Sequence, residues 1–187
     1  MQPGQLLEVL SVAARLKTNT RHCYTDTERK ESVADHSWRI SLMAMLLKEE
    51  FPDTDMSRVI EMCLIHDLGG AFTGDIPTFN KNSLDEAKEE TIYREWVNGF
   101  PEAEREHWNG LLDEMIALES KEAKLYKALD KLEAIISHNE SDIATWLPLE
   151  YNLQYTYGKE QIAFSPYLKE LRKLVDEWTT DKIKDNK

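Results

Sequence analysis

With 187 residues, 41% of them hydrophobic and 31% charged, the chain is long enough for one domain with its own core and needs no disulfide staples. A net charge of −12 speaks against binding nucleic-acid backbones, which are held by excess Lys and Arg, yet leaves room for a small phosphorylated substrate whose charge a bound cation offsets. No apolar run approaches the ~20 residues of a membrane span, no basic segment precedes an apolar stretch at the N-terminus, and Cys23 and Cys63 lack metal-type spacing, so a reduced, cytoplasmic protein without a membrane contact is expected.

The first element in chain order is a helix with an apolar stripe of Leu6, Leu7, Leu10, Ala14 and Leu16. "DHSWRISLMAMLLKEEF" reads as the second, with Asp35 as a candidate cap and its end at Phe51-Pro52. "MSRVIEMCLIHDLG" is the third, with Cys63 as a small core residue one turn before Asp67 and Gly69-Gly70 as the stop signal. After the loop "GGAFTGDIPTFNKN", Ser83 and Glu86 make a capping box for a helix to Val97, and Pro101 opens the next, which carries Leu111, Leu112, Met115 and Ile116. "SKEAKLYKALDKLEAIISHNE" is the longest amphipathic segment, with Leu125, Leu129, Leu132 and Ile136 at helical spacing and Asp130 beside the stripe. Residues 141–158 read as irregular and aromatic, and Ser165-Pro166 starts a last helix to about Trp178. No alternating run is long enough to build a sheet, and no linker or repeat divides the chain. The expected fold is therefore all-α, a single compact helical bundle spanning 1–187.

Four residues on these helices stand out: His36 in "ESVADHSWR", the pair His66-Asp67 in "CLIHDLGGAFTGDIP", and Asp130 in "KALDKLEAI". Singly, each has a plain alternative, since a helical histidine is usually a hydrogen-bonded polar group and an HD dipeptide arises by chance. Together, two imidazoles and two carboxylates suit one divalent ion of the Mg, Mn, Fe, Co, Ni or Zn range, with coordination positions left for a phosphate oxygen and a water. Adjacent residues on a helix point about 100° apart, so His66 and Asp67 can meet one ion only near a helix end. His36 and Asp130 must then arrive from helices packed alongside.

The order H…HD…D, together with "ESVADHSWRISLMAMLL", "LIHDLGGAFTGDIPTFNK", "ALDKLEAII" and "GKEQIAFSPYLKELRKLV", resembles the HD-domain phosphohydrolases, and within them the small 5'-deoxynucleotidases. The resemblance spans most of the chain. It implies that His36, His66, Asp67 and Asp130 hold the metal, that Asp75 of "TGDIP" faces the reacting phosphate, and that Arg21 holds the substrate phosphate, with Lys81 as a second phosphate contact. Asp75 also fits a turn residue capping its own loop, and Arg21 fits a loop cation paired with a carboxylate. Trp38 reads as a packing residue, and Glu86, Glu89 and Glu90 as surface charges. The aromatics from Trp146 to Tyr157 suit either the wall of a nucleoside pocket or a homodimer contact.

One position departs from the family. The 5'-deoxynucleotidases read HD-x-x-E, with a glutamate that positions or activates the attacking water; here that position is Gly70. The expected function is a metal-dependent phosphomonoesterase acting on (deoxy)nucleoside 5'-monophosphates. Two others stand beside it: hydrolysis of nucleoside triphosphates or other small phosphate esters, and a metal-binding regulatory protein with weak turnover.

Overall fold

A computed structural model describes residues 1–25, 29–74 and 82–186. Its helices are α1 (Pro3–Ala13), α2 (Val33–Leu46), α3 (Met56–Ile65), α4 (Gly70–Thr73), α5 (Ser83–Asn98), α6 (Glu102–Ala117), α7 (Lys121–Glu140), α8 (Glu150–Thr156) and α9 (Pro166–Asp185). Short 3-10 turns at Ala14–Lys17, Lys48–Glu50 and Ile143–Thr145 join them. Among the described residues no helix is long and apolar enough to cross a membrane.

Helix α7 is the axis of the molecule. It packs against α2, α3, α6 and α9 and against the first strand. The leucines at 125, 129 and 132 are fully buried, and they meet Ile40 and Ala44 of α2 and Val59, Met62 and Cys63 of α3. Burial of an aliphatic side chain contributes roughly 1.5–3 kcal/mol, so this three-helix seam carries much of the stability. Unlike a surface amphipathic helix, α7 also buries Asp130, Glu133 and Ser137. These lie at i, i+3 and i+7, one above another on a single face. A polar stripe inside the core is the first structural mark of a site.

Several sequence expectations are corrected. A two-stranded antiparallel hairpin, β1 (Thr20–Tyr24) and β2 (Lys30–Ser32), precedes α2, with Thr20 opposite Ser32 and Tyr24 opposite Lys30. Its inward residues include Arg21 and Cys23 rather than two aliphatics, so the alternation was not hydrophobic. Helix α1 leaves Leu6, Leu7 and Leu10 exposed and packs instead through Val9, Val12 and Ala13, an equally helical set. Helix α2 is capped by Ser32, whose hydroxyl accepts from the Asp35 amide while the Asp35 carboxylate accepts from the Ser32 amide. Asp35 thus closes the capping box from the third position. The box before α5 pairs Asn82 with Asp85, one residue earlier than Ser83 and Glu86. Trp38 is exposed, whereas Trp146, in the stretch expected to be irregular, is buried and donates Nε1–H to the His138 carbonyl at 3.0 Å. That stretch contains α8, and α9 continues past Trp178 to Asp185.

Candidate metal centre

Three helices deliver the four candidate ligands. His36 comes from the first turns of α2, His66 caps the C-terminus of α3 with Asp67 following it, and Asp130 stands mid-way along α7. Helix α3 ends at Ile65 without a left-handed residue: His66 and Gly69 both keep right-handed helical angles, and the positive φ falls later, at Gly74. The HD pair therefore sits on a loosened continuation of the helix. There the two side chains turn inward together, and His66 Nε2 lies 3.1 Å from Asp67 Oδ2.

The ligand atoms of His36, His66 and Asp67 all lie within 4.8 Å of one another, and Asp130 Oδ1 is 3.4 Å from His36 Nε2. Both histidine Nε2 atoms are buried and have no hydrogen-bond partner. A buried polar atom left unsatisfied costs about 1–3 kcal/mol, and two facing one another with carboxylates beside them make a donor set suited to a cation. The residues present fit a divalent metal.

Behind three of the four candidate ligands stands a second contact. His66 Nδ1 meets the Cys63 carbonyl at 2.9 Å, and His36 Nδ1 meets Glu133 Oε2. Asp130 Oδ2, on the side away from His36, takes the ammonium groups of Lys127 at 3.1 Å and Lys131 at 3.3 Å. Partners of this kind orient metal ligands and fix histidine tautomers.

The electrostatics follow from burial and proximity. Burial and the nearby Arg21 charge push His36 down, but the Glu133 and Asp130 carboxylates outweigh them and lift it to about 9. Burial pushes Asp67 up, and the His66 and His36 rings more than offset this, holding its carboxyl below the usual range. Asp130 is held well below that range against its burial, chiefly by Lys127 and Lys131. Lys127 is in turn pushed up, first by Asp130.

Arg21, on β1, is engaged from behind. Its Nη1 donates to Glu31 Oε2 at 2.8 Å and to Glu133 Oε2 at 3.1 Å, and its side chain is largely buried. Both the carboxylate pairing and a place beside the metal centre are thus realised at once. Asp75 and Lys81 lie outside the described residues.

At Gly70 a Cβ would meet nothing within 4 Å, and its φ is not positive, so the backbone there would accept a side chain. At Gly69 a Cβ would sit 2.8 Å from Glu89 Cγ and 3.0 Å from its carboxylate oxygen. Glu89 is therefore half-buried against the HD turn rather than a solvated charge. Tyr93, one turn further along α5, donates its hydroxyl to the Ile65 carbonyl at 2.8 Å and docks the same face.

The HD-domain family model matches residues 13–172. The chain belongs to the HD-domain family. Human 5'-deoxynucleotidase HDDC2 is 32% identical over 139 residues, which cover 72% of this chain and 67% of the relative. Among solved structures, a protein described as a predicted metal-dependent phosphohydrolase from Magnetospirillum magnetotacticum superposes with a TM-score of 0.78 at 25% identity, covering 95% of this chain and 92% of that one. The cyanophage S-2L HD phosphohydrolase DatZ, solved bound to dA and one catalytic Zn2+ ion, superposes with a TM-score of 0.59 at 19% identity, over 94% and 96% of the two chains, and shares the fold.

Sequence reasoning did not find Glu133, Lys127 or Lys131. Their signal was present, since each lies three residues, or one, from Asp130 on the same helix. Charges on an amphipathic helix are ordinarily solvated, and only the packing around α7 distinguishes these.

Proposed function

We propose that the protein is a metal-dependent 5'-deoxynucleotidase that releases phosphate from deoxynucleoside 5'-monophosphates, with the ion held by His36, His66, Asp67 and Asp130. The observation that carries this is the pair of buried Nε2 atoms that make no hydrogen bond yet lie 3.1 Å and 3.4 Å from the Asp67 and Asp130 carboxylates in an HD-domain protein. Relatives named 5'-deoxynucleotidase support the substrate class. A divalent ion bound there would supply Lewis-acid stabilisation of the phosphate and an activated water.

The chain's own residues supply the rest. Glu31 and Glu133 hold Arg21 by Nη1, and among the described residues no partner meets its Nε or Nη2. That edge of the guanidinium fork suits a phosphate oxygen. Lys127 and Lys131 pair with Asp130 and offset the accumulation of carboxylates. Asp75 is assigned to the reacting phosphate and water, and Lys81 to a phosphate contact, on the family resemblance alone.

A phosphate-release assay titrated with Mn2+, Co2+, Zn2+ and Mg2+ tests the reading, run on deoxynucleoside mono- and triphosphates side by side. Metal-dependent release from monophosphates is expected. Release confined to triphosphates would move the substrate class, and metal binding without turnover on either would leave a regulatory protein. If Asp75 manages the water, Asp75→Asn lowers turnover at least ~10²-fold with metal content unchanged, the effect of removing a general base. Full activity in that variant would remove Asp75 from the chemistry.

A further inference from the structure

Glu133 is fully buried and charged, on the face of α7 where an aliphatic residue would extend the core. Taking a carboxylate out of water costs several kcal/mol unless it is well paired. Here every direction is used. Its Oε2 meets His36 Nδ1 and Arg21 Nη1, its Oε1 accepts from the Ser137 hydroxyl at 2.6 Å, and Arg39 Nε stands 3.8 Å from that same oxygen. Glu31 completes the cluster, binding Arg21 and accepting from Cys23 Sγ at 3.0 Å, and its Oε1 lies 2.9 Å from Ser137 Oγ, whose single proton it shares with Glu133.

We propose that Glu133 is a positioning residue of the metal centre: it accepts the Nδ1 proton of His36, which turns the Nε2 lone pair to the ion, and with the same oxygen it anchors Arg21. The proposal rests on the metal-centre reading above and deepens it. The two histidines then become unequal ligands. His66 is backed by a neutral carbonyl of its own helix, whereas His36 is backed by a buried carboxylate from another helix. A charged acceptor makes the imidazole a stronger donor to the ion and ties its ring plane to α7. Because Arg21 shares the oxygen, displacement of Glu133 disturbs the cation site and the guanidinium together.

The test compares Glu133→Gln with Glu31→Gln, since Glu31 touches Arg21 but is not hydrogen-bonded to His36. Zn2+ affinity is measured by competition with a chromophoric chelator, and the Zn2+-loaded proteins are examined by nitrogen-15 histidine NMR. Glu133→Gln is expected to weaken Zn2+ binding 10–100-fold, the range for removing such an outer partner, while Glu31→Gln stays within about threefold of wild type. In wild-type protein the His36 Nδ1–H resonance should lie downfield of that of His66 and move upfield in Glu133→Gln, a change that a purely structural role would not produce. If Glu133→Gln does not fold, Glu133→Asp keeps the charge but shortens the reach, and the same loss of affinity is expected. Zn2+ affinity within twofold of wild type in the folded variant, or a His36 bound to metal through Nδ1, overturns the proposal. Wild-type protein that binds neither Zn2+ nor Mn2+ would overturn the metal centre itself, and with it this role.

Discussion

Helix α7 carries two buried polar clusters, and they are finished differently. Towards its C-terminal end, Asn139 donates to the Val175 carbonyl at 3.2 Å and accepts from Gln154 at 3.2 Å and Thr179 at 3.0 Å. Arg172, almost fully buried, donates to the carbonyls of Gln154 and Tyr157 and to Asp176. Every one of these groups finds its partner within the protein, and the result is a clasp that joins α7, α8 and α9. Mid-helix, around Asp130, the candidate ligands His36, His66 and Asp130 are equally well held from behind, yet at the front His36 Nε2 and His66 Nε2 make no hydrogen bond, only close approaches to Asp130 and Asp67. Buried polar groups in folded proteins are normally satisfied, so a cluster satisfied on one side only marks a candidate binding site. The contrast separates a structural network from a binding site using hydrogen bonds alone.

The comparison is broken most directly by the ion. A divalent metal should raise the melting temperature and EDTA should reverse the gain, by about 4 kcal/mol when the metal stands a thousandfold above its Kd. Asp130→Ala should abolish that gain, and metal-dependent phosphate release with it. It should also weaken the metal-free protein, because Lys127 and Lys131 lose their shared carboxylate. Melting curves with and without metal, together with metal content, decide the matter; identical curves would make the centre as closed as the clasp.

The clasp should answer in the opposite sense. Arg172→Met removes the donors to two carbonyls and should cost roughly 2–4 kcal/mol in urea unfolding, while the folded fraction keeps its Zn2+ affinity. A variant with weakened metal binding would show that the two clusters are coupled along α7.

A pH titration of the metal-free protein gives a smaller effect. His36 has its folded pKa raised from 6.5 to about 9, so its contribution is full below pH 6.5 and is lost as the pH climbs through about 9. Glu133, buried but held by His36 and Arg21, is lowered from 4.5 to about 2, so its contribution is present above pH 4.5 and is lost as the pH falls through about 2. Saturating Zn2+ should shrink the alkaline loss, since the cation replaces the proton on Nε2. Unfolding free energies at a series of pH values, with and without Zn2+, test this; an alkaline limb indifferent to metal would remove His36 from the centre.

The smallest effect distinguishes two adjacent glycines. Gly69→Ala forces Glu89 aside and should lower stability measurably, whereas Gly70→Ala meets open space and should be neutral or slightly stabilising. Gly70→Glu is therefore tolerable to the backbone. If it raises monophosphatase activity, the missing glutamate was limiting.

The sequence singled out His36, His66, Asp67 and Asp130 as candidate ligands because their chemistry is carried by residue type and order, and the helices because their apolar spacing is regular. It did not disclose the hairpin, whose inward positions hold Arg21 and Cys23 for the sake of Glu31 and Glu133. Nor did it choose between two helical faces of α1, since Leu6, Leu7 and Leu10 are larger than Val9, Val12 and Ala13 but only the latter meet a partner. Glu133 was hidden for the complementary reason. A carboxylate on an amphipathic helix looks solvated until the elements that surround it are known.

Both cysteines are buried, and burial, helped at Cys23 by Glu31, pushes each thiol above its usual range. Neither can react with a thiol reagent until the structure around it opens. Cys23 lies on β1 of the hairpin, and Cys63 lies on α3 within the core. The chain therefore carries two clocks of its own motion. Their labelling rates, read with and without Zn2+, would time the opening of the hairpin separately from that of the core, and an ion bound between three helices should slow the second clock far more than the first.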